Sequence, residues 1–307
     1  MVNHSSMLPP AVAFEQIVSK PRLDSYRGYW KVGRDAAVGL YMWNGEVCGE
    51  MSKLLSYLEI CLRNGIHREM SFHVSGGVDR SVHWWDGVAG QLKPEARSQI
   101  QKVRDKSPHV LLSPDEIVSR MSFGFWPNLL AWIAKQRPKV ASKILPAHPL
   151  SQPGAKLNWF NAPARQRAVR QFLEFSEIRN RIAHHEPLWK FAAVLDTAPN
   201  PATQLFPAST DEATTLARFE RLMKQYDEAI TSLSPLLHAS IRTSSWRMRL
   251  DFLLSPRGVR RFKDCRHVTH PTALDATAFS DEFAAVVQRD MPVKLRDERG
   301  EGIFVPT

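Results

Sequence analysis

One long helical pattern, which begins at Asp35 and continues to about Phe72, constrains the fold more than any other feature of the sequence. Apolar residues recur along it at steps of three and four, the spacing that places side chains on one face of an α-helix. They are Leu40, Trp43, Val47, Met51, Leu54, Leu58, Leu62 and Ile66. We expect this to be the central helix, against which the other helices pack.

A second amphipathic helix is predicted to start after Ser209 or Thr210, which we interpret as its N-cap, and to end near Pro235. Its apolar stripe comprises Leu216, Phe219, Leu222, Met223, Tyr226, Ile230 and Leu233. Shorter helices are predicted from Pro94 and from the Ser113–Glu116 segment. The pattern is that of an all-α protein, with an N-terminal segment 1–30, a helical domain 31–238 and a basic C-terminal extension 239–307.

The composition is that of a globular protein that binds a polyanion. Of the 307 residues, 41 are Lys or Arg and 31 are Asp or Glu, which gives a net charge of +10. This charge makes a polyanion the natural partner, and it fits RNA, DNA or an anionic membrane surface equally. No apolar run approaches the roughly 20 residues of a membrane span. The N-terminus lacks the features of a signal peptide, and the isolated Cys48, Cys61 and Cys265 do not form a metal motif. We therefore expect a cytoplasmic protein without a membrane partner.

Polar residues cluster between Glu177 and Trp189, where the chain reads E-I-R-N-R-I-A-H-H-E-P-L-W. The cluster follows a helical run that starts near Asn161 and stops before Pro187, which cannot continue a helix. The apolar stripe of this run is expected to pass through Val169, Phe172, Leu173, Ser176, Asn180 and Ala183. Polar residues would then occupy a packing face in the last turns, where an unpaired polar group costs about 1–3 kcal/mol.

The spacing of the cluster indicates a metal-independent chemistry on RNA. Asn180 and His184 share one helix face, while Arg179 lies about 140° around the helix and about 7.5 Å along it from His184. An imidazole can transfer protons, and a guanidinium can hold a phosphate through two parallel hydrogen bonds. A metal site formed by His184, His185 and Glu186 is the alternative, but the two histidines lack the i, i+4 spacing of a helical zinc site. We therefore predict no metal.

The cluster resembles the signature of the HEPN superfamily, with Arg179 and Asn180 preceding His184, and with His185, Glu186 and Pro187 following. Three other segments resemble the Abi-like (abortive infection) branch of that superfamily. They are L-Y-M-W-N-G-E at 40–46, L-E-I-C-L-R-N-G-I-H at 58–67 and M-S-F-G-F-W at 121–126. The resemblance spans roughly residues 14–235, in matching order.

This resemblance implies a HEPN-like helical bundle with additional helices, acting as a homodimer and without a cofactor. It implies that Arg179 and His184 form a catalytic pair accompanied by Asn180, with Arg181, His185 and Glu186 as secondary candidates. The implied function is a metal-independent endoribonuclease of abortive infection or of a toxin–antitoxin system, which cleaves RNA by 2′-hydroxyl attack and has an antitoxin as a further candidate partner. The alternative is a catalytically inactive HEPN module that binds RNA or protein. Which of the two histidines faces the cleft stays open.

Two further groups of basic residues are candidates for RNA binding. Arg63 and His67 share one helix face, and they either add charge to the site or complement the dipole of a helix end. In the C-terminal extension, basic residues alternate with Trp246, Phe252 and Phe262, as in surfaces that bind single strands. The arginines concerned are Arg247, Arg249, Arg260 and Arg261. The alternative is that these aromatic residues anchor an appendage to the bundle.

Overall fold

The computed structural model describes residues 11–107, 109–196, 203–264, 272–275, 283–284, 287, 293–297 and 300–304. The protein is predominantly helical, which confirms the predicted all-α class. The α-helices are α1 Ala11–Val18, α2 Lys20–Trp30, α3 Arg34–Val74, α4 Pro94–Asp105, α5 Pro114–Arg120, α6 Phe125–Gln136, α7 Pro138–Ile144, α8 Ala162–Ala183, α9 Glu212–Leu233, α10 Pro235–Arg242, α11 Ser245–Leu253 and α12 Pro256–Lys263. Short 3-10 helices lie at Asp86–Gln91 and Pro149–Ser151.

Two small sheets accompany the helices. Strand β1, Val194–Asp196, pairs antiparallel with β2, Thr203–Phe206. Strand β3, Thr272–Asp275, pairs parallel with β4, Val293–Asp297, which pairs antiparallel with β5, Gly300–Phe304. Within the described residues, no helix has both the length and the apolar composition needed to cross a membrane.

The chain divides into two compact units, and each of them is assembled from separate stretches of sequence. The first unit comprises residues 1–51, 187–221 and 244–307, and the second comprises residues 52–186 and 222–243. These boundaries differ from the predicted limits of 1–30, 31–238 and 239–307. Helix α11 groups with the N-terminal part of the chain, since Arg249 forms an ion pair with Glu50 of α3 at 3.6 Å.

The packing stripe of α3 forms the core as predicted, since all of its members are buried. In the first unit, the indole of Trp43 is fully buried and its Nε1 donates to the carbonyl of Leu253, 2.7 Å away. In the second unit, the hydroxyl of Tyr226 donates to the carbonyl of Leu54 at 2.9 Å. Burial of one such side chain contributes about 1.5–3 kcal/mol, so this stripe contributes much of the stability of the fold.

The N-cap of α9 lies one residue after Thr210 and two residues after Ser209, the two predicted caps. The N-cap is Asp211, whose Oδ1 accepts a hydrogen bond from the backbone amide of Thr214 at 2.8 Å, and this bond lowers the pKa of the carboxyl group. Ser209 is instead buried and used elsewhere, since its hydroxyl accepts from the amide of Phe191 and donates to the carbonyl of Trp189. The helix therefore starts within the predicted segment, but Ser209 does not cap it, because its hydroxyl is hydrogen-bonded to the backbone of Phe191 and Trp189.

Candidate functional site

Helix α8 carries the predicted site on its last turn. Its N-cap is Asn161, as predicted, because the side-chain oxygen accepts from the amide of Ala164 at 3.0 Å. The residues that α8 buries are Ala164, Ala168, Val169, Phe172, Phe175 and Ile178. The predicted stripe is therefore right at its start and wrong at its end, where burial passes to Phe175 and Ile178 and leaves Asn180 exposed. The polar residues of the last turn face solvent and not a packing face.

The M-S-F-G-F-W segment anchors the middle of α8. Met121, Phe123, Phe125 and Trp126 are buried, and Gly124 lies against the helix. A Cβ atom at Gly124 would lie 3.3 Å from the hydroxyl oxygen of Ser176. A larger residue at this position would therefore push the start of α6 away from α8. This close contact fixes the helix at Ser176, less than one turn before Arg179.

A Schellman motif ends α8 at the histidine pair. His184 is the C-cap, and His185 has a φ of 54°, in the left-handed region that favours glycine. The amide of Glu186 donates to the carbonyl of Arg181 at 2.8 Å, and the amide of His185 donates to the carbonyl of Ile182 at 3.0 Å. These two bonds define the motif and reverse the chain direction immediately after His184. A histidine at the left-handed position costs about 1 kcal/mol relative to glycine.

The primary candidates lie exposed at this helix end. Arg179, Asn180 and His184 are all exposed, as is His185. None of these four side chains forms a hydrogen bond or ion pair with another residue among those the structure describes. The secondary candidates differ, because Arg181 is half-buried and its Nε lies 3.8 Å from a carboxylate oxygen of Glu186. Arg181 and Glu186 therefore take part in closing the helix end.

Glu59 of α3 is a residue of this region that the sequence analysis did not select. It is half-buried, and its burial raises the pKa of the carboxyl group, while the guanidinium groups of Arg63 and Arg179 act in the opposite direction. The charges of both arginines thus act on one carboxylate, so Arg63 and Arg179 lie in the same region of the second unit. The only sequence signal for Glu59 was its i, i+4 spacing to Arg63, which is common on helices.

The structure places His67, which the sequence offered as a candidate for RNA binding, in the interior of the second unit. It is buried, and its Nδ1 accepts a hydrogen bond from the indole of Trp84 at 3.1 Å. Its Nε2 lies 3.2 Å from the hydroxyl of Ser81 and 3.5 Å from a carboxylate oxygen of Asp115. Burial is the main cause that lowers the pKa of His67. Both ring nitrogens therefore lie close to polar groups of the protein, and the ring is not at a helix end, because α3 continues to Val74.

The arginines of the predicted C-terminal RNA-binding group differ in burial and in ion pairing. Arg247 and Arg261 are buried, and the Nε of Arg247 lies 2.9 Å from Asp251. Arg249 is exposed but forms ion pairs with Glu46 and Glu50. Within the described part of the extension, Arg260 is the member of this group that is exposed and has no ion pair. The interpretation as an appendage that packs onto other helices describes α11 and α12 correctly.

No family model, curated protein or solved structure matches this chain. Among the residues that the structure describes, no group of three or more His, Cys, Asp or Glu side chains is placed to hold a metal ion. The chemistry available at the end of α8 is therefore inferred from its own side chains. It offers a guanidinium, an amide and imidazole groups to a ligand from solvent, beside a carboxylate that is shared by two arginines.

Proposed function

We propose that this protein is a metal-independent endoribonuclease that uses the exposed end of α8. The supporting observation is that Arg179, Asn180 and His184 are presented together to solvent and make no hydrogen bond or ion pair with the described residues. Their types match a reaction on a phosphodiester, because a guanidinium binds phosphate and an imidazole exchanges protons near neutral pH. Nothing in the described packing requires them, so a ligand is the best account of their presence together.

The proposed reaction is an internal transesterification. His184 removes the proton of an RNA 2′-hydroxyl, and the resulting oxygen attacks the adjacent phosphorus atom. The bond from phosphorus to the 5′-oxygen breaks, and that oxygen takes a proton from a second, protonated histidine, either His185 or one from a second copy of the chain. The products are a 2′,3′-cyclic phosphate end and a 5′-hydroxyl end. DNA lacks the attacking hydroxyl and stays intact.

Arginine side chains provide the electrostatic part of this mechanism. Arg179 stabilises the extra negative charge of the transition state, a contribution of about 3–4 kcal/mol when the donor is preorganised. The positive charges of Arg179 and Arg63 both act on the carboxyl group of Glu59. Arg63 is half-buried on α3 and adds positive charge for the incoming strand. Asn180 orients the phosphate or the imidazole through its amide.

The biological setting is proposed from the HEPN resemblance. Arg179, Asn180, His184 and the M-S-F-G-F-W segment support an Abi-like enzyme of phage defence or of a toxin–antitoxin pair, acting in the cytoplasm as a homodimer. The overall charge of +10 is consistent with an RNA substrate. An antitoxin protein would then act by covering the exposed end of α8.

The test is incubation of the purified protein with total RNA in excess chelator. Arg179→Ala and His184→Ala are compared with Arg167→Ala and His109→Ala, which remove the same residue types from exposed positions elsewhere in the second unit. We expect the wild type and both control variants to leave cyclic phosphate ends, and the two site variants to leave the RNA intact. Cleavage by all five proteins would show that the site lies elsewhere.

If none of the five proteins cleaves the RNA, a binding assay distinguishes the remaining possibilities. If labelled RNA still binds the wild type and Arg179→Ala lowers the affinity, the alternative of a catalytically inactive RNA-binding module replaces the enzyme. If RNA neither binds nor is cleaved, both readings of the α8 end fail.

A further inference from the structure

A cavity of about 520 Å³ lies in the second unit, and the candidate residues of α8 do not line it. Its walls come from the C-terminal end of α3, from α7 and from the loop that precedes α8. The residues that matter for its chemistry are Phe72, His73, Arg137, Lys139, Lys143 and Phe160. This volume falls in the range of cavities that hold small organic ligands, about 300–1,000 Å³.

The cavity carries uncompensated positive charge. Its one carboxylate, Glu69, is already neutralised, since Oε1 lies 2.8 Å from Arg68 and 3.7 Å from Arg80. Lys139 and Lys143 are exposed and form no ion pair with the described residues. Two lysines on one side of a concave surface, with no local counter-charge, favour an anionic ligand.

Arg137 lines the cavity, and its guanidinium is held by two residues that do not line it. One terminal nitrogen donates to the side-chain oxygen of Gln91 at 2.8 Å, and the guanidinium stacks over Trp132 with a separation of 4.8 Å. A guanidinium has five N–H donors, so donors remain for a ligand after the bond to Gln91. This fixed geometry suits the oxygen atoms of a phosphate better than a single monovalent ion.

The pKa of His73 depends on the same positive charges. Burial lowers the pKa of His73, and the positive charges of Arg137 and Lys143 lower it further. An anion bound between these cations would cancel part of their effect and raise the pKa again. The histidine therefore provides a site-specific probe of whether an anion enters the cavity.

An exposed aromatic ring completes the cavity. Phe160 is 65% exposed, which is unusual for a phenylalanine beside a concave surface. Phe72 is different, because the cations of Arg80 and Lys143 already lie over its ring, 4.6 Å and 5.6 Å from the centroid. Phe160 thus offers a free face on which a flat, aromatic group can stack.

We propose that this cavity binds a nucleotide, whose phosphate lies on Arg137, Lys139 and Lys143 and whose base stacks on Phe160. The combination of phosphate-binding cations with one exposed aromatic ring selects this class over inorganic phosphate or a neutral aromatic molecule. The nucleotide is either a free one or the terminal nucleotide of a strand, since both present the same chemistry. The proposal is independent of the ribonuclease, because no residue of the α8 site takes part.

Isothermal titration calorimetry of the full chain with ATP tests the proposal. We expect saturable binding that weakens at least about tenfold in the double variant Lys139→Gln/Lys143→Gln. The matched control is Lys102→Gln/Lys106→Gln, which removes two exposed charges from the end of α4 and leaves the affinity unchanged. Phe160→Ala should weaken binding of ATP about tenfold while leaving binding of inorganic tripolyphosphate unchanged.

Three results would overturn the proposal: no heat with millimolar ATP, equal loss in both double variants, or equal affinities for ATP and tripolyphosphate in the wild type. The NMR titration of the His73 ring gives an independent reading, with its pKa rising when ATP is added. Displacement of ATP by a 5′-phosphorylated oligoribonucleotide would assign the cavity to the end of a strand. Binding of ATP that the oligonucleotide does not displace would assign it to free nucleotides.

Discussion

Two segments of this protein have nearly the same sequence and opposite environments. On α3 the chain reads R-N-G-I-H from Arg63 to His67, and on α8 it reads R-N-R-I-A-H from Arg179 to His184. His67 is buried and hydrogen-bonded, whereas His184 is exposed and has no side-chain hydrogen bond among the described residues. A short polar motif on a helix therefore does not define a site by itself.

The position of the helix end explains the difference. Helix α3 continues for seven residues beyond His67, so that histidine lies inside a packed helix and contacts Trp84. Helix α8 ends at Ala183, and the Schellman motif turns the chain away directly after His184. A histidine in the last turn has neighbours on one side only, and the other side stays open to a ligand.

The largest effect is expected from removing the exposed histidine. His184→Ala should lower the rate of RNA cleavage about 1,000-fold, because general acid–base catalysis contributes about 100- to 10,000-fold. The free energy of unfolding should change by less than about 0.5 kcal/mol, as for other exposed positions. Single-turnover cleavage and urea unfolding of the same preparation measure both quantities. A variant that lost stability and activity together would mean that His184 is structural, like His67.

The mirror-image result is expected for the buried histidine. His67→Ala should lower the free energy of unfolding by about 2–3 kcal/mol, because it leaves a cavity and deprives the buried indole N–H of Trp84 of its acceptor. The rate of RNA cleavage per folded molecule should not change. Urea unfolding followed by tryptophan fluorescence provides the measurement, and His109→Ala is the exposed control. A neutral effect on stability would remove the contrast between the two motifs.

Burial also predicts how stability depends on pH. Burial lowers the pKa of His148 from its ordinary value of 6.5 to about 4, and its Nδ1 accepts from the amide of Leu150. Below pH 6.5 the unfolded chain takes up a proton that the folded protein excludes, so stability present above pH 6.5 is lost as the pH falls toward 4. Between pH 7 and pH 5 this loss amounts to about 2 kcal/mol.

The variant His148→Asn isolates this contribution, since asparagine keeps an acceptor for the Leu150 amide but does not titrate. Urea unfolding at pH 7 and at pH 5 should show a smaller loss of stability in the variant than in the wild type. Equal losses in both proteins would mean that the buried ring is protonated in the folded state.

The smallest effect is expected at the left-handed residue of the α8 terminus. His185→Gly should raise the free energy of unfolding by about 1 kcal/mol, because glycine adopts a φ of 54° without strain. Differential scanning calorimetry should show a correspondingly higher Tm. The cleavage rate then decides which histidine acts, since loss of cleavage in His185→Gly with retention in Lys190→Gly would assign a proton-transfer role to His185.

Local patterns predicted well wherever the outcome depended on neighbouring residues in the chain. The stripe of α3 is buried throughout, the cap at Asn161 is in place, and the helix predicted from the Ser113–Glu116 segment begins with a capping box of these two residues. The predicted buried face was wrong in the last turns of α8, because burial passes from Phe172 to Phe175 and Ile178 and not to Ser176 and Asn180. The roles of Arg179, Asn180 and His184 stay predictions, and their common exposure is the new observation that supports them.

The sequence by itself determined the helical class and the main helix starts and stops, because hydrophobic periodicity and capping are properties of adjacent residues. Only the tertiary structure decided which charged residues stay available. Arg247 and Arg261 are buried although the basic and aromatic pattern placed them on a surface, and Glu59 comes under the influence of two arginines from different helices. Burial and interactions between charges depend on residues that are distant in the chain, so a local sequence pattern cannot predict them.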